Sequence, residues 1–426
     1  MRRRSEAWRP ELAASTDSRQ PAGRDRPPRG IAHVITESEP FGGAQRNTLL
    51  SLEGLKREGY EVELICGPGG RLVGAARAIG VAVHEILDLV REVAPLHDLR
   101  AFLALFRLMR ARNYEVVHTH STKAGLLGRV AAWCAGVPIV VHTFHGVPFR
   151  MQRDTRTFAY SAVERLAALV THRVVCVGEA FRQELAGWGV APPHKLVTIY
   201  SGIDFSSCRP RRPAAELKRD LGLERAWPVI GSVGRLTQQK AQYDLIDAVA
   251  LLASRYPRIV LLLVGEGPLR ARLERQIRER DLAPRVRLLG ERDDIADLLG
   301  VFDVFAMSSL WEGVGRALTE AMYARLPVVA TAVDGVVELI LDDETGLLVP
   351  PRSPATLAAA IERLVSEPER ATRLGANARA KAAELMDGRS MVAALVALYE
   401  ELRPSLRPGR SRPSDAAASR VEPGTR

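Results

Sequence analysis

From residue 30 to about residue 400, short apolar runs alternate with longer stretches of helical periodicity. Runs at 31–35, 61–66, 81–86, 116–120, 139–143, 173–177 and 196–200 read as strands, with helices at 47–58, 99–112 and 123–135 between them. A second series opens at 228–234 and continues at 259–264, 286–289, 301–307, 328–330 and 346–349, before closing helices. Strands that alternate with helices need crossover connections, so each series predicts a mostly parallel sheet. The chain therefore divides into two similar α/β domains, 30–204 and 205–385. A final helix at 386–403 is free to end the second domain or to cross back to the first. Tails at 1–29 and 404–426 flank this body. Ligands collect beyond the carboxyl ends of parallel strands and between paired domains, so polar residues at strand ends matter most.

Composition changes the picture only where it is mapped. With 426 residues, 46% of them hydrophobic and 26% charged, the chain is an ordinary globular sequence too long for one core. Of the net charge of +10, residues 1–29 hold +4 and residues 401–426 hold +3. Both tails are rich in Arg, Pro, Ser and Ala and read as disordered, while the body is only mildly basic. No nucleic-acid partner is expected. Met1-Arg2-Arg3-Arg4 leads into no apolar core and no run is long enough to span a bilayer, so a cytoplasmic protein is expected. Cysteines 66, 134, 176 and 208 lack the spacing of a disulfide framework or a structural zinc site. Leu99, Phe102, Leu103, Phe106 and Met109 read as a stripe packed on the sheet. Segment 149–173 mixes Arg150, Arg153, Arg156 and Arg165 with aromatics, which suits either an anionic inner membrane surface or ordinary packing.

Candidate chemistry clusters at strand ends. Glu312 and Glu320 flank a turn, Gly313-Val314-Gly315, and a helix start, where unpaired amides can receive an anion. Arg235 and Lys240 follow the strand at 228–234 and are placed to hold a diphosphate, or to serve as plain surface charges. Gly42 and Gly43 follow the first strand without the spacing of a dinucleotide fingerprint. His120 with Lys123, and His145, fall at the ends of separate strands and suggest a shared cleft.

Taken together, these segments resemble the family 4 glycosyltransferases over residues 30–402. The most specific match is Glu312 to Glu320, which looks like that family's pair of glutamates separated by seven residues. Gly42-Gly43, Gly234-Arg235 with Lys240, Gly265-Glu266-Gly267-Pro268 and Thr345-Gly346-Leu347-Leu348-Val349-Pro350 support it. Segments 118–125 and 142–146 look like a bacterial branch that builds surface polysaccharides. The resemblance implies the GT-B fold, two facing Rossmann-like domains with parallel sheets and an interdomain cleft. It implies retaining transfer from a nucleotide diphosphate sugar, UDP- or GDP-linked, to a lipid-linked or glycan acceptor, without a metal. In that reading Arg235 and Lys240 hold the diphosphate, Glu320 binds the ribose and Glu312 faces the donor sugar. Gly313, Val314 and Gly315 complete the donor loop, Gly43 offers an amide to the diphosphate or acceptor, and His145 touches the transferred sugar. Gly42, His120 and Lys123 are the acceptor-side candidates. Three positions depart from the pattern: Ala241 stands for a Gly, Gly315 for a Pro, and Asp334-Gly335-Val336-Val337-Glu338 for Gly-Gly-x-Pro-Glu. Asp293-Asp294 reads as a helix cap. A non-hydrolysing sugar-nucleotide epimerase shares the architecture, and a catalytically silent sugar-nucleotide or polysaccharide-binding protein would keep it too.

Overall fold

The computed structural model describes residues 30–39, 41–146 and 154–403. Both tails, Arg150 and Arg153 lie outside the described residues. Seven strands form the first sheet: β1 (Ile31–Ile35), β2 (Val62–Cys66), β3 (Ala82–Glu85), β4 (Val116–His120), β5 (Ile139–Phe144), β6 (Arg173–Cys176) and β7 (Leu196–Thr198). Six form the second: β8 (Val229–Val233), β9 (Val260–Val264), β10 (Val286–Gly290), β11 (Val304–Met307), β12 (Val328–Thr331) and β13 (Leu347–Val349). All pairings are parallel, in the orders β3-β2-β1-β4-β5-β6-β7 and β10-β9-β8-β11-β12-β13. Each sheet thus reverses direction beside its first strand, between β1 and β4 and between β8 and β11. A crevice opens at such a switch point.

Some boundaries differ from the expected ones for local reasons. The strand expected at 301–307 pairs only from Val304, because the Val301 amide closes the turn after the helix Ile295–Leu299 by bonding Leu298 O at 2.9 Å. The first helix starts at Gly43, with Gly42 as its cap residue, so Gly43 opens the helix instead of lying in a loop before it. In the helix Pro95–Arg112 the inward face is Ala101, Leu105 and Met109, whereas Leu99 and Leu103 are exposed. The expected stripe is therefore corrected at Leu99 and Leu103 and kept at Met109, with Phe102 and Phe106 partly buried against the same core: the inward face packs among Ala124, Ala131 and Ala132 of the neighbouring helix Thr122–Cys134, where a small side chain lets the backbones approach.

The last helix, Gly388–Leu402, packs on the first domain. Leu395, Leu398, Tyr399 and Leu402 share a core with Ile31, Leu52 and Leu64, a burial of roughly 1.5–3 kcal/mol for each such side chain. Tyr60 donates its hydroxyl hydrogen to Glu400 at 2.7 Å, and Arg403 reaches Glu115 at 3.0 and 3.1 Å. A second tie joins the domains at Glu338. Its carboxylate accepts from the Glu179 and Ala180 amides at 2.9 and 2.6 Å and from the Tyr200 hydroxyl at 2.6 Å. A carboxylate from the second domain thus satisfies orphan amides opening a helix of the first, Glu179–Gly187.

Candidate active site

A cleft of about 750 Å³ lies between the carboxyl ends of the two sheets. The first domain contributes Gly42, Gly43, Arg46 and His145 to its walls. From the second come Gly234, Lys240, the segment from Glu312 to Arg316, and Glu320.

The loop after β11 is held in place from two sides. Ser308 donates to the carbonyls of Lys240 and Ala241, both at 2.9 Å, while the Leu310 amide bonds Gln239 O at 2.7 Å. On the other side the Glu312 amide bonds Asp334 Oδ2 at 2.9 Å, and a Cβ added to Gly335 would stand 1.7 Å from Gly313 O. The departure at 334–335 therefore has a structural role: Asp334 anchors the loop and Gly335 lets it pass. Gly315 has φ +77°, which explains the second departure, because proline is fixed near −65°. Ala241 adopts φ +47° in the strained left-handed region that its family counterpart, glycine, enters freely.

Four charges follow from this geometry. Lys240 Nζ pairs with Glu312 Oε2, with side chains 19% and 11% exposed, and Ser309 Oγ also donates to that oxygen at 3.3 Å. Arg316 Nε bonds Glu320 Oε1 at 2.8 Å within the helix Arg316–Tyr323. Arg46 faces them from the first domain; burial, then repulsion from Arg316, lowers the affinity of its guanidinium for its proton, with Glu320 opposing. Cations and carboxylates are thus held in pairs at the wall, each cation able to exchange its partner for a ligand anion.

Not every expected residue reaches the cleft. Arg235 is exposed and absent from the walls, where Gly234 stands instead; its carbonyl accepts from Gln242 at 2.9 Å. Lys123 turns away into an ion pair with Asp98 and a bond to Glu92 O. His120 is wholly buried behind His145, so of the three acceptor-side candidates only Gly42 lines the cleft. Asp294 does precede the helix Ile295–Leu299, but its carboxylate is held by Arg292 at 2.8 and 2.5 Å and not by helix amides. Asp294 thus holds the expected cap position without the side-chain cap bond. Arg46 and Arg316 were missed, although Arg316 stands four residues before Glu320 and Arg46 lies in the first turn after Gly43.

His145 in the first-domain wall is backed by four more histidines, at 33, 118, 120 and 142. Burial lowers His33 to about 3 and His145 to about 4, and holds His118, His120 and His142 well below the ordinary range, so all are neutral at pH 7. Nitrogen atoms of His33, His118 and His120 lie within 4.8 Å of one another. Those of His118 and His120 are all engaged: His118 meets the Tyr399 hydroxyl at 2.5 Å and Thr143 at 2.6 Å, and His120 meets His33 and His145. His33 Nε2 alone in this trio is left without a partner.

Two facing parallel-sheet domains with an ion-paired cleft define a GT-B protein, and sequence comparisons agree. The family profile "Glycosyltransferase Family 4" matches residues 41–207, and "Glycosyl transferases group 1" matches residues 214–381. The chain is 33% identical over 325 residues to the UDP-Gal:alpha-D-GlcNAc-diphosphoundecaprenol alpha-1,3-galactosyltransferase of Escherichia coli, covering 75% of this chain and 83% of that protein. It is 24% identical to the capsular polysaccharide biosynthesis glycosyltransferase CapM of Staphylococcus aureus, over 82% and 91% of the two chains. Among solved structures, Anabaena Alr3699/HepE in complex with UDP-glucose superposes with a TM-score of 0.75 at 23% identity, covering 87% of this chain and 99% of that one. The chain belongs to the family 4 glycosyltransferases of the GT-B fold.

Proposed function

We propose that this glycosyltransferase moves a sugar, with retention of anomeric configuration, from a UDP-sugar to a saccharide carried on a lipid diphosphate during cell-surface polysaccharide synthesis. The observation that carries the reading is the Lys240–Glu312 pair beside Arg316–Glu320, two cations and two carboxylates on one cleft wall. A donor diphosphate exchanges places with Glu312 on Lys240 and meets the amides that open the helix Arg316–Tyr323. Glu320 accepts from ribose hydroxyls. The bond from the anomeric carbon to the diphosphate breaks with its electron pair leaving on oxygen. The acceptor oxygen bonds that carbon from the same face, and its proton passes to the departing phosphate. Glu312, released from Lys240, faces the positive charge that develops on the sugar. Lys240 and the amides carry the diphosphate charge without a metal, so EDTA leaves the rate unchanged. The relative's UDP-Gal donor and diphosphoundecaprenol-linked acceptor support the choice of substrates.

Exposed apolar residues support a lipid-borne acceptor. Helix Thr155–Leu169 presents Phe158, Leu166 and Leu169 at 78%, 67% and 71% exposure, and Leu96 and Leu99 are exposed on Pro95–Arg112 beside Arg100. Each of these exposed apolar stretches suits an anionic bilayer. No helix among the described residues is long and apolar enough to cross a membrane.

The test is transfer from UDP-galactose, UDP-glucose, UDP-N-acetylglucosamine and GDP-mannose to a synthetic polyprenyl-diphosphate N-acetylglucosamine, with released nucleotide measured. One UDP-sugar should support transfer, and Lys240→Ala should slow it about 100-fold or more. Turnover of the GDP-sugar alone rejects the donor assignment. Equal activity on a water-soluble acceptor, with no sedimentation on anionic vesicles, rejects the lipid assignment.

A further inference from the structure

Behind His145 the first domain carries a chain of imidazoles. His33 Nδ1 lies 2.9 Å from His120 Nε2, and His120 Nδ1 lies 2.9 Å from His145 Nε2. The ring centroids are 5.1 and 5.2 Å apart with interplanar angles of 17° and 24°. Rings this close to parallel, with nitrogens in contact and centroids this far apart, lie edge to edge, as N–H···N bonding requires. His118 packs alongside, 4.6 Å from His120, and is itself held by Tyr399 and Thr143. His33 and His120 are fully enclosed, at 0% and 1% exposure.

A neutral imidazole has one N–H and one lone pair, so the chain admits only two proton orderings. In the first, His145 Nε2 donates to His120, His120 Nε2 donates to His33, and His33 Nε2 is left as a buried N–H without an acceptor. In the second every bond runs the other way: His33 Nδ1 donates to His120, His120 Nδ1 donates to His145, and His33 Nε2 keeps only a lone pair. Orphaned buried N–H groups are the rarer defect, which favours the second ordering. Its other end is His145 Nδ1, which has no protein partner among the described residues and belongs to a residue that lines the cleft. The His145 carbonyl stands 3.7 Å from the Cβ position of Gly313, so the residue borders the Glu312 loop.

We infer that His120 and His33 are positioning residues that fix His145 in the tautomer with its proton on Nδ1, presenting a neutral N–H donor to an oxygen of the bound sugar. The identity of that oxygen rests on the reading of the cleft as a donor-sugar site; the tautomer does not. His145 does not serve as a base, because in this ordering Nδ1 already carries its proton and the lone pair on Nε2 accepts from His120. Its gift to the reaction is orientation without added charge, beside a wall where Lys240, Arg46 and Arg316 already supply cations.

Histidine ring 15N spectra of the full-length protein test this directly. At pH 7 the wild type should contain Nδ1–H neutral rings at His33, His120 and His145, and the set belonging to His145 should vanish in His145→Asn. Signals of an Nε2–H or charged His145 overturn the inference. In His120→Leu, His145 should relax to a tautomer average. Its kcat should fall about tenfold, on the order of one hydrogen bond, with donor KM changed less than about threefold. His120→Asn, whose amide can donate from the place of Nδ1, should restore most of both. An unchanged His145 spectrum in His120→Leu removes the positioning role. Should that variant fail to fold, the wild-type spectrum still decides the tautomer. A wild type that transfers no sugar defeats the proposed function and leaves the spectral result standing.

Discussion

The two domains share a strand order yet meet the cleft with opposite chemistry. At the carboxyl edge of the second sheet stand ion pairs, Lys240 with Glu312 and Arg316 with Glu320. Behind the edge of the first lies a set of buried imidazoles that burial keeps neutral. Fixed charge suits a group that departs as an anion, whereas neutral donors suit a sugar whose hydroxyls must be oriented without being titrated. One topology therefore supplies two kinds of wall, and the difference lies in a few residues at strand ends.

The sharpest way to break this contrast is to remove a charge from one wall and a donor from the other. Lys240→Ala should lower kcat/KM about 100- to 1000-fold, the scale for losing a fixed group aimed at developing charge. His145→Ala should cost about tenfold in the same steady-state assay. Equal losses would erase the distinction. Next in size is the loop itself: Gly335→Ala drives a methyl into the Gly313 carbonyl, and chemical unfolding should register a loss of about 3 kcal/mol. Glu338→Ala removes the acceptor of two amides and a hydroxyl, and should cost about 2 kcal/mol while loosening the domain contact seen by small-angle scattering.

Acid should separate the domains more gently. His33 and His145 bind protons in the unfolded chain near 6.5 but in the folded one only near 3 and 4. The unfolded state binds more protons in that window, so the first domain loses stability as pH falls from about 6.5 toward 4. Asp244 in the second domain runs the other way. Burial raises it to about 6 from 3.8, so acidification across that interval stabilises its domain. Limited proteolysis at pH 4.5 should therefore cut the first domain before the second; the reverse order contradicts this account. The smallest effect belongs to Ala241→Gly, where relief of the left-handed strain and the lost methyl nearly cancel, within about 0.5 kcal/mol.

Period and punctuation made much of this readable in the chain. The strands of both sheets, the cleft at their ends and the glutamates of the loop after β11 follow from short apolar runs and from residue types set after them. What stayed hidden depends on partners distant in sequence. Leu99 and Leu103 were read as inward because they fall on an apolar stripe at helical spacing, although apolar residues are also common on surfaces. Asp334 bonds an amide twenty-two residues away, and Glu338 caps a helix of the other domain, neither of which has a local signature. Arg235 looked equivalent to Lys240 from its position after a strand, but only Lys240 lines the cleft. His120 marked a strand end correctly, yet its burial depends on how β1, β4 and β5 pair.

The helix Gly388–Leu402 completes the core of a domain whose last strand ends at Thr198, and Tyr399 supplies the hydroxyl that occupies His118. Order of synthesis is therefore not order of completion. As the chain leaves the ribosome, the first domain waits with an uncovered flank while the second is assembled, and the first reaches its final form only when the last helix emerges. Proteolytic removal of that helix would take no residue from the cleft and still return the first domain to its nascent state.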